Sequence, residues 1–136
     1  MRSSTKLVIL LVLVSTQLRA SSESPCFQRA TTQLEMNQCA GEEFKEADSE
    51  LNRIYQQVLS KYGEDADKVA RIKEAEKAWV AFRDADIGVF FPESERAERG
   101  SAFLMCRTLH LARLTGERVR QLRALLEHQE GDLCSH

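Results

Sequence analysis

Few side chains in this sequence have the types and spacing that chemistry requires. Glu42 and Glu43 form an adjacent carboxylate pair, and Glu46 follows within one helical turn. Paired carboxylates can hydrolyse a glycosidic bond when they flank a cleft that holds the sugar. These glutamates fall on a predicted helical surface, which offers no such cleft. We therefore expect them to form a solvated acidic face and interpret them as candidate contacts for a basic partner.

A second set of polar side chains could be read as a catalytic group, but no Ser or free Cys nucleophile stands with a base in a familiar arrangement. We interpret the set as a hydrogen-bonded and ionic network that fixes the register of packed helices. An arginine in such a network would pair well with a carboxylate, because the guanidinium is a planar fork. The residues of this predicted network are Asn52, Tyr55, Arg83, Asp84, Thr115 and Arg118.

Composition argues against cofactor, metal and nucleic-acid chemistry. The 136 residues carry 19 basic and 21 acidic side chains, a net charge of −2, which gives no general reason to expect nucleic acid. The sequence holds three His, no glycine-rich phosphate loop and no Cys-x-x-Cys pair, so we predict no cofactor and no metal site. The sequence therefore favours a binding module over an enzyme.

The first twenty residues resemble an export signal. Arg2 and Lys6 precede a short apolar run at residues 7–14, and Ala20 provides a small residue for cleavage. The run is too short to span a bilayer, and the sequence before Cys26 lacks a lipidation box. We predict a cleavable signal peptide at residues 1–20, a periplasmic or secreted protein, and no stable membrane insertion after cleavage. Loss of residues 1–20 would leave a net charge of −5.

Apolar residues at helical spacing predict three amphipathic helices in one domain, residues 21–136. The first runs from Phe44 to Tyr62, with weaker periodicity back to Thr31, and stops at Gly63. The second carries an apolar stripe and ends before Pro92. The third begins after Ser101, carries an apolar stripe that includes Phe103 and Leu104, and reaches residue 128. We predict an all-α, up-down-up antiparallel three-helix bundle, with an N-terminal segment at residues 21–30 and a flexible tail at residues 129–136. The predicted stripe of the second helix contains Val69, Ile72, Ala75, Trp79, Phe82 and Val89.

Four cysteines allow three disulfide pairings, and export makes disulfides plausible. A bridge between Cys106 and Cys134 would need the third helix to break, because the short tail cannot return along it. Cys26 and Cys39 are close in sequence, and their bridge would tie the N-terminal segment to the first helix. We favour this pair, which leaves Cys106 as a buried thiol and Cys134 as a thiol of the tail.

The charged connection at residues 92–100 is short and is held at both ends by helices. It is the best presented feature for a partner surface, because loops held on a rigid scaffold commonly carry binding residues. A plain connector is the alternative. The candidate contacts in this connection are Glu93, Ser94, Glu95, Arg96, Glu98 and Arg99.

Several of these stretches together resemble the LprI-like lysozyme-inhibitor family of exported bacterial proteins, over residues 26–125. Each stretch is weak alone, but five in order make the resemblance specific. They are Cys26 and Cys39; D-S-E-L-N-R-I-Y at residues 48–55; A-E-K-A-W-V-A-F-R-D at residues 75–84; Gly100-Ser101; and L-T-G-E-R at residues 114–118.

The departures from the family pattern concern a second cysteine pair. Asp86 and His110 stand where relatives usually have cysteines, and both are replaced together. The resemblance therefore implies that Asp86 and His110 face each other across the second and third helices. It also implies that Cys26–Cys39 is the remaining bridge. An Asp–His⁺ contact would be weaker than a disulfide and would depend on pH.

The resemblance implies that the chain binds lysozyme directly and blocks peptidoglycan cleavage. The alternative is a helical interaction or structural module of the cell envelope that does not inhibit lysozyme. The sequence leaves the oligomeric state open.

Overall fold

The computed structural model describes residues 24–127. The predicted signal peptide at residues 1–20 and the predicted tail at residues 129–136 lie outside the described residues, as does Cys134. Within residues 24–127 there is no β-strand. The chain is all-α, as the sequence predicts.

Helix α1 (Pro25–Arg29) lies in the predicted N-terminal segment and buries none of its residues. Pro25 is favourable at the first position of this helix, because proline lacks an N–H group and the N–H groups of a first turn have no partner within the helix. A disulfide joins Cys26 to Cys39 across 13 positions, and Cys39 is buried. The predicted tie between the N-terminal segment and the next helix is confirmed.

Helix α2 (Gln33–Lys61) begins earlier than its strong periodicity, at the boundary that the weaker pattern indicated. Thr32 and Glu35 form a capping box, in which each side chain accepts a hydrogen bond from the other residue's backbone N–H. Backbone hydrogen bonds from Thr31 and Thr32 lower the pKa of Glu35. The cap thus fixes the first turn beside the disulfide.

Helix α3 (Ala66–Phe90) begins after Asp65, whose side chain accepts a hydrogen bond from the backbone N–H of Lys68. Helix α5 (Ala102–Glu127) ends the described chain. The connection between them is not the open loop predicted from its charge. It forms a 3₁₀ turn (Glu93–Glu95) and the short helix α4 (Arg96–Arg99).

Contacts at the two ends of α2 define the topology. Gln33 at its start donates to the Met105 sulfur near the start of α5. Tyr62, just past its end, donates to the carbonyl oxygen of Leu125 near the end of α5. Helices α2 and α5 therefore run parallel to each other. Helix α3, which lies between them in the sequence, runs in the opposite direction. The predicted up-down-up three-helix bundle is confirmed.

The core lies mainly between α2 and α5. Leu51, Ile54 and Val58 of α2 form one buried cluster with Val119 and Leu122 of α5. From α3, Ile72 joins that cluster and Trp79 packs at its edge. Burial of a continuous apolar seam is the main stabilising contribution in such a bundle.

Three predicted core positions on α3 are wrong: Ala75, Phe82 and Val89 are exposed. Helix α3 has two apolar stripes about 100° apart, and only the one with Ile72 and Trp79 faces α5. Periodicity could not choose between them.

Two positions predicted as buried on α5 are also solvent-exposed. Leu104 keeps 43% of its surface accessible, and the free thiol of Cys106 is exposed rather than buried. Phe103, directly before Leu104 and three residues before Cys106, is fully buried. At about 100° per residue, Leu104 and Cys106 lie on opposite sides of Phe103 around the helix, so they fall at the two edges of the buried face.

Candidate functional site

The connection between α3 and α5, residues 92–101, turns the chain from one helix into the next. Pro92 has an extended backbone and ends α3, and the backbone N–H of Glu95 donates to its carbonyl oxygen. Gly100 then adopts a φ of 61°, a conformation that favours glycine, and α5 starts directly after it. We call residues 92–104 the corner.

Both arginines predicted as contacts are held by ion pairs within the corner. An Nη1 atom of Arg96 lies 2.7 Å from Glu93, and Arg99 lies 2.6 Å from Glu95. Arg99 also donates to the carbonyl oxygen of Phe90 and lies over the Phe91 ring. These pairs are exposed, and exposed pairs contribute about 0–1 kcal/mol, so a partner carboxylate could replace Glu93 or Glu95 at small cost.

An open depression of about 590 Å³ lies on the corner. Its lining combines charged side chains with the exposed Leu104. A partially apolar depression with a polar rim fits a side chain or loop of a protein partner. Its lining residues are Glu93, Ser94, Arg96, Ala97, Gly100, Ser101 and Leu104.

The predicted acidic contacts form a separate patch on α2. Glu42 and Glu46 are exposed, Glu43 is half-buried, and a shallow depression of about 500 Å³ borders Glu42 and Glu46. Gln33 contacts Met105, so the start of α2 lies at the same end of the bundle as the corner. Glu42 follows nine residues later, which places the patch about 14 Å along α2 from that end. The structure thus divides the predicted contacts between two surfaces. Ser94, Glu95 and Glu98 belong to the corner.

Glu50 marks the far edge of the α2 patch. It accepts hydrogen bonds from Arg53, one turn away, and from Arg123 of α5. The bonds from Arg53 and then from Arg123 lower the pKa of Glu50 from 4.5 to about 2. The ion pair between Glu50 and Arg123 links α2 to α5.

We expect the contribution of Glu50 to stability to disappear in acid. Its pKa in the folded protein lies below the unfolded value, so its stabilising effect is complete above pH 4.5 and is lost as pH falls toward 2. The difference in urea midpoint between wild type and Glu50→Gln should therefore be largest at neutral pH and vanish near pH 2. Arg123→Gln, which leaves Arg53 in place, should show a smaller difference. A difference that does not change with pH would contradict this assignment.

Polar side chains join α3 to α5, in contrast to the apolar seam between α2 and α5. Arg118 Nε donates to Glu76 Oε2 over 2.9 Å, and each side chain keeps only 14% of its surface exposed. The Arg118 guanidinium also lies 5.9 Å from the centre of the Trp79 ring, which Arg83 approaches from another side. Burial, followed by the charge of Glu76, raises the pKa of the neighbouring Tyr55.

Asp86 and His110 are in contact across the same two helices. His110 Nε2 lies 2.7 Å from Asp86 Oδ2, and His110 Nδ1 faces Arg113 Nη2 at 3.2 Å. A neutral imidazole with its proton on Nε2 satisfies both contacts, donating to the carboxylate and accepting from the guanidinium. Phe90 and Phe91 pack against the imidazole ring. The pair occupies the positions where the family resemblance implied a lost bridge.

Four residues of the predicted network make no polar link between helices within residues 24–127. Asn52 donates to Asp48 on its own helix, and Asp84 accepts from its neighbour Arg83, whose guanidinium otherwise lies over Trp79 of the same helix. The Thr115 hydroxyl is buried and has no partner within residues 24–127. A side chain that sequence reasoning missed, Glu76, provides the link to Arg118 between α3 and α5. Its position three residues before Trp79 places it on the same helical face, which is the signal that could have identified it.

The described residues offer no catalytic constellation. Cys106 lies one turn before His110, but both imidazole nitrogens of His110 already face other partners, so the thiol–imidazole contact of a cysteine nucleophile is lacking. Between residues 24 and 127 no group of three or more His, Cys, Asp or Glu side chains could hold a metal ion. No helix in this range combines the length and apolar character needed to cross a bilayer.

Comparison with known proteins places this fold in a family. Residues 26–122, which include nearly all the described chain, match the family described as lysozyme inhibitor LprI. The chain belongs to the LprI family. This LprI-family chain is 29% identical to an uncharacterized protein of Rhizobium meliloti (strain 1021), over 96% of its own length and 99% of that protein.

A solved structure shares the LprI-family fold. It is the crystal structure of a DUF1311 family protein from Pseudomonas putida KT2440, with a TM-score of 0.62 and 27% sequence identity. The match covers 72% of this chain and 97% of that one.

Proposed function

We propose that this LprI-family protein binds lysozyme and blocks peptidoglycan cleavage by covering the catalytic cleft. The observation that carries the proposal is the family match over residues 26–122. A lysozyme cleft depends on two carboxylates, so a protein that occupies the cleft stops the reaction without doing chemistry itself. This agrees with a chain whose described side chains form ion pairs and a packed core.

The corner is the surface that best fits a cleft. It connects two helices at one end of the bundle, and Pro92 and two short helical turns order its backbone, so it loses little conformational entropy on binding. Arg96 or Arg99 could exchange its own carboxylate for one in the cleft, while the exposed Leu104 supplies apolar contact. We propose this corner as the central contact.

The acidic patch on α2 would act at longer range. Common lysozymes are basic, and the patch of Glu42, Glu43 and Glu46 lies toward the same end of the bundle as the corner. Complementary charge raises association rates, and the effect weakens as salt rises. We therefore propose that the α2 patch speeds encounter and that the corner determines the lifetime of the complex.

Export is part of the proposal, because lysozyme acts outside the cytoplasm. Residues 1–20 have the pattern of a cleavable signal peptide, and the Cys26–Cys39 bridge suits an oxidising compartment. We propose a periplasmic or secreted protein.

A lysis assay tests the function. Purified protein is added to a basic lysozyme, and the clearing of a cell-wall suspension is followed at low and moderate salt. We expect protection that becomes complete at a several-fold molar excess and that develops faster at low salt. Unimpeded lysis at both salt concentrations would reject inhibition and leave the envelope interaction module as the function.

Two matched variants test the surface. Ala97→Arg places a bulky cation in the corner depression, and Ala70→Arg adds the same charge to an exposed site on α3 outside the corner and the α2 patch. Both variants weaken the long-range attraction to a basic lysozyme equally. Ala97→Arg should therefore lower the affinity for lysozyme by about ten-fold or more relative to Ala70→Arg. Equal affinity of the two variants would place the contact elsewhere on the bundle.

A further inference from the structure

Helix α3 carries an apolar stripe that nothing in residues 24–127 covers. Its members recur at alternating spacings of three and four residues, and each is exposed. Phe82 keeps 55% of its surface accessible and Val89 keeps 75%, values far above those of core residues. We call this set the outer stripe; it consists of Ala75, Ala78, Phe82, Ala85 and Val89.

The outer stripe is distinct from the face that holds α3 in the bundle. Ile72, Trp79 and Ile87 point toward the core, about 100° around the helix from the outer stripe. Gly88, beside Val89, has open space where a Cβ atom would lie, since no atom comes within 4 Å of that position. The outer stripe therefore remains accessible to another molecule.

Its spacing is that of a helix–helix seam. Alternating steps of three and four residues keep side chains on one line facing a partner helix, as in coiled coils. The outer stripe also varies in size, with Phe82 between Ala78 and Ala85 and with Val89 at its end. In an antiparallel pair of identical stripes, each Phe82 would pack on Ala78 of the partner subunit, large against small on both sides of a two-fold axis.

Charge favours the same antiparallel arrangement. Arg71 lies on the line of the outer stripe, one turn before Ala75, and makes no ion pair within residues 24–127. The other end of the stripe meets the C-terminus of α3, where backbone carbonyls carry partial negative charge. Antiparallel pairing brings each Arg71 to this negative end of the partner helix.

We propose that the outer stripe is the interface of a symmetric homodimer, formed by antiparallel pairing of α3 with α3 of a second copy. The paired segment is about 21 Å long, which is short for a stable interface, so the dimer dissociates readily on dilution. The proposal rests on α3 alone and does not depend on lysozyme binding.

Analytical ultracentrifugation of the full chain tests the dimer. Cys106→Ser and Cys134→Ser are introduced first, so that no intermolecular disulfide can form. Over a roughly hundred-fold range of concentration we expect a reversible change from monomer to dimer. Phe82→Glu should weaken dimerisation at least ten-fold, since it places two like charges and two desolvated carboxylates in the seam. Val89→Glu should act in the same direction.

Leu34→Glu is the matched control, because Leu34 is an equally exposed apolar residue, at 67%, on α2. It should dimerise like the parent chain, and far-UV circular dichroism should show the same helix content for all variants. A parent chain that stays monomeric throughout the range would overturn the proposal and assign the outer stripe to a different occupant. Dimerisation of Phe82→Glu as strong as that of the parent would also overturn it.

Discussion

Leu122→Ala should lower the free energy of unfolding by about 3 kcal/mol, because it removes a fully buried side chain from the seam between α2 and α5. Leu122 keeps 1% of its surface exposed and packs in the cluster of Leu51, Ile54 and Val58. The loss combines the transfer free energy of the deleted atoms with the cost of the cavity that remains. Urea unfolding followed by circular dichroism measures it.

The matched control for this prediction is Leu104→Ala on the same helix. Leu104 keeps 43% of its surface exposed, so its truncation should cost less than about 1 kcal/mol. Similar losses for the two variants would mean that α2 and α5 do not pack through this seam. Leu104→Ala also tests the corner, where it should weaken partner binding without unfolding the chain.

Arg118→Met should cost about 2–3 kcal/mol, because it leaves the Glu76 carboxylate poorly solvated and without its cation. Both side chains keep 14% of their surface exposed, and this residual access to water reduces the penalty below that of a fully buried pair. Methionine preserves apolar packing on Trp79, so the loss reports mainly on the charge. The measurement is again the urea unfolding free energy.

A double-mutant cycle isolates the interaction. Arg118→Met combined with Glu76→Gln should be less destabilising than the sum of the two single variants, because the second change removes the stranded charge. Arg96→Met is the control: its partner Glu93 is exposed, and the loss should stay within about 0.5 kcal/mol. If the effects of Arg118→Met and Glu76→Gln were strictly additive, Arg118 and Glu76 would not interact.

The sequence predicted the helices and their order because the signals are local. Gly63, Pro92 and the polar residues before each helix mark boundaries, and the spacing of Leu51, Ile54 and Val58 marks a buried face. The early start of α2 also followed from a local pattern, the weaker apolar periodicity that reaches back to Thr31. These features need no knowledge of the partner helices.

The errors arose where two alternatives had equal local support. Helix α3 has two apolar stripes, and the choice between them depends on how α5 packs, which spacing along one helix cannot reveal. The corner was predicted as a loop from its charge, although its i,i+3 and i,i+4 pairs, Arg96 with Glu93 and Arg99 with Glu95, stabilise helical turns. Glu76 was not predicted as a link between helices, because its role depends on Arg118 lying opposite.

The parallel pairing of α2 with α5 has a consequence for how the chain folds. The residues that meet in the best-packed seam are far apart in sequence; Tyr62 and Leu125, for example, are separated by 63 positions. Forming such contacts requires closing a long loop first, which slows folding relative to a bundle built from neighbouring hairpins. A nascent chain that ends at Phe90 has the apolar face of α2 without its cover. Synthesis must therefore reach the last turns of α5 before the fold can be completed.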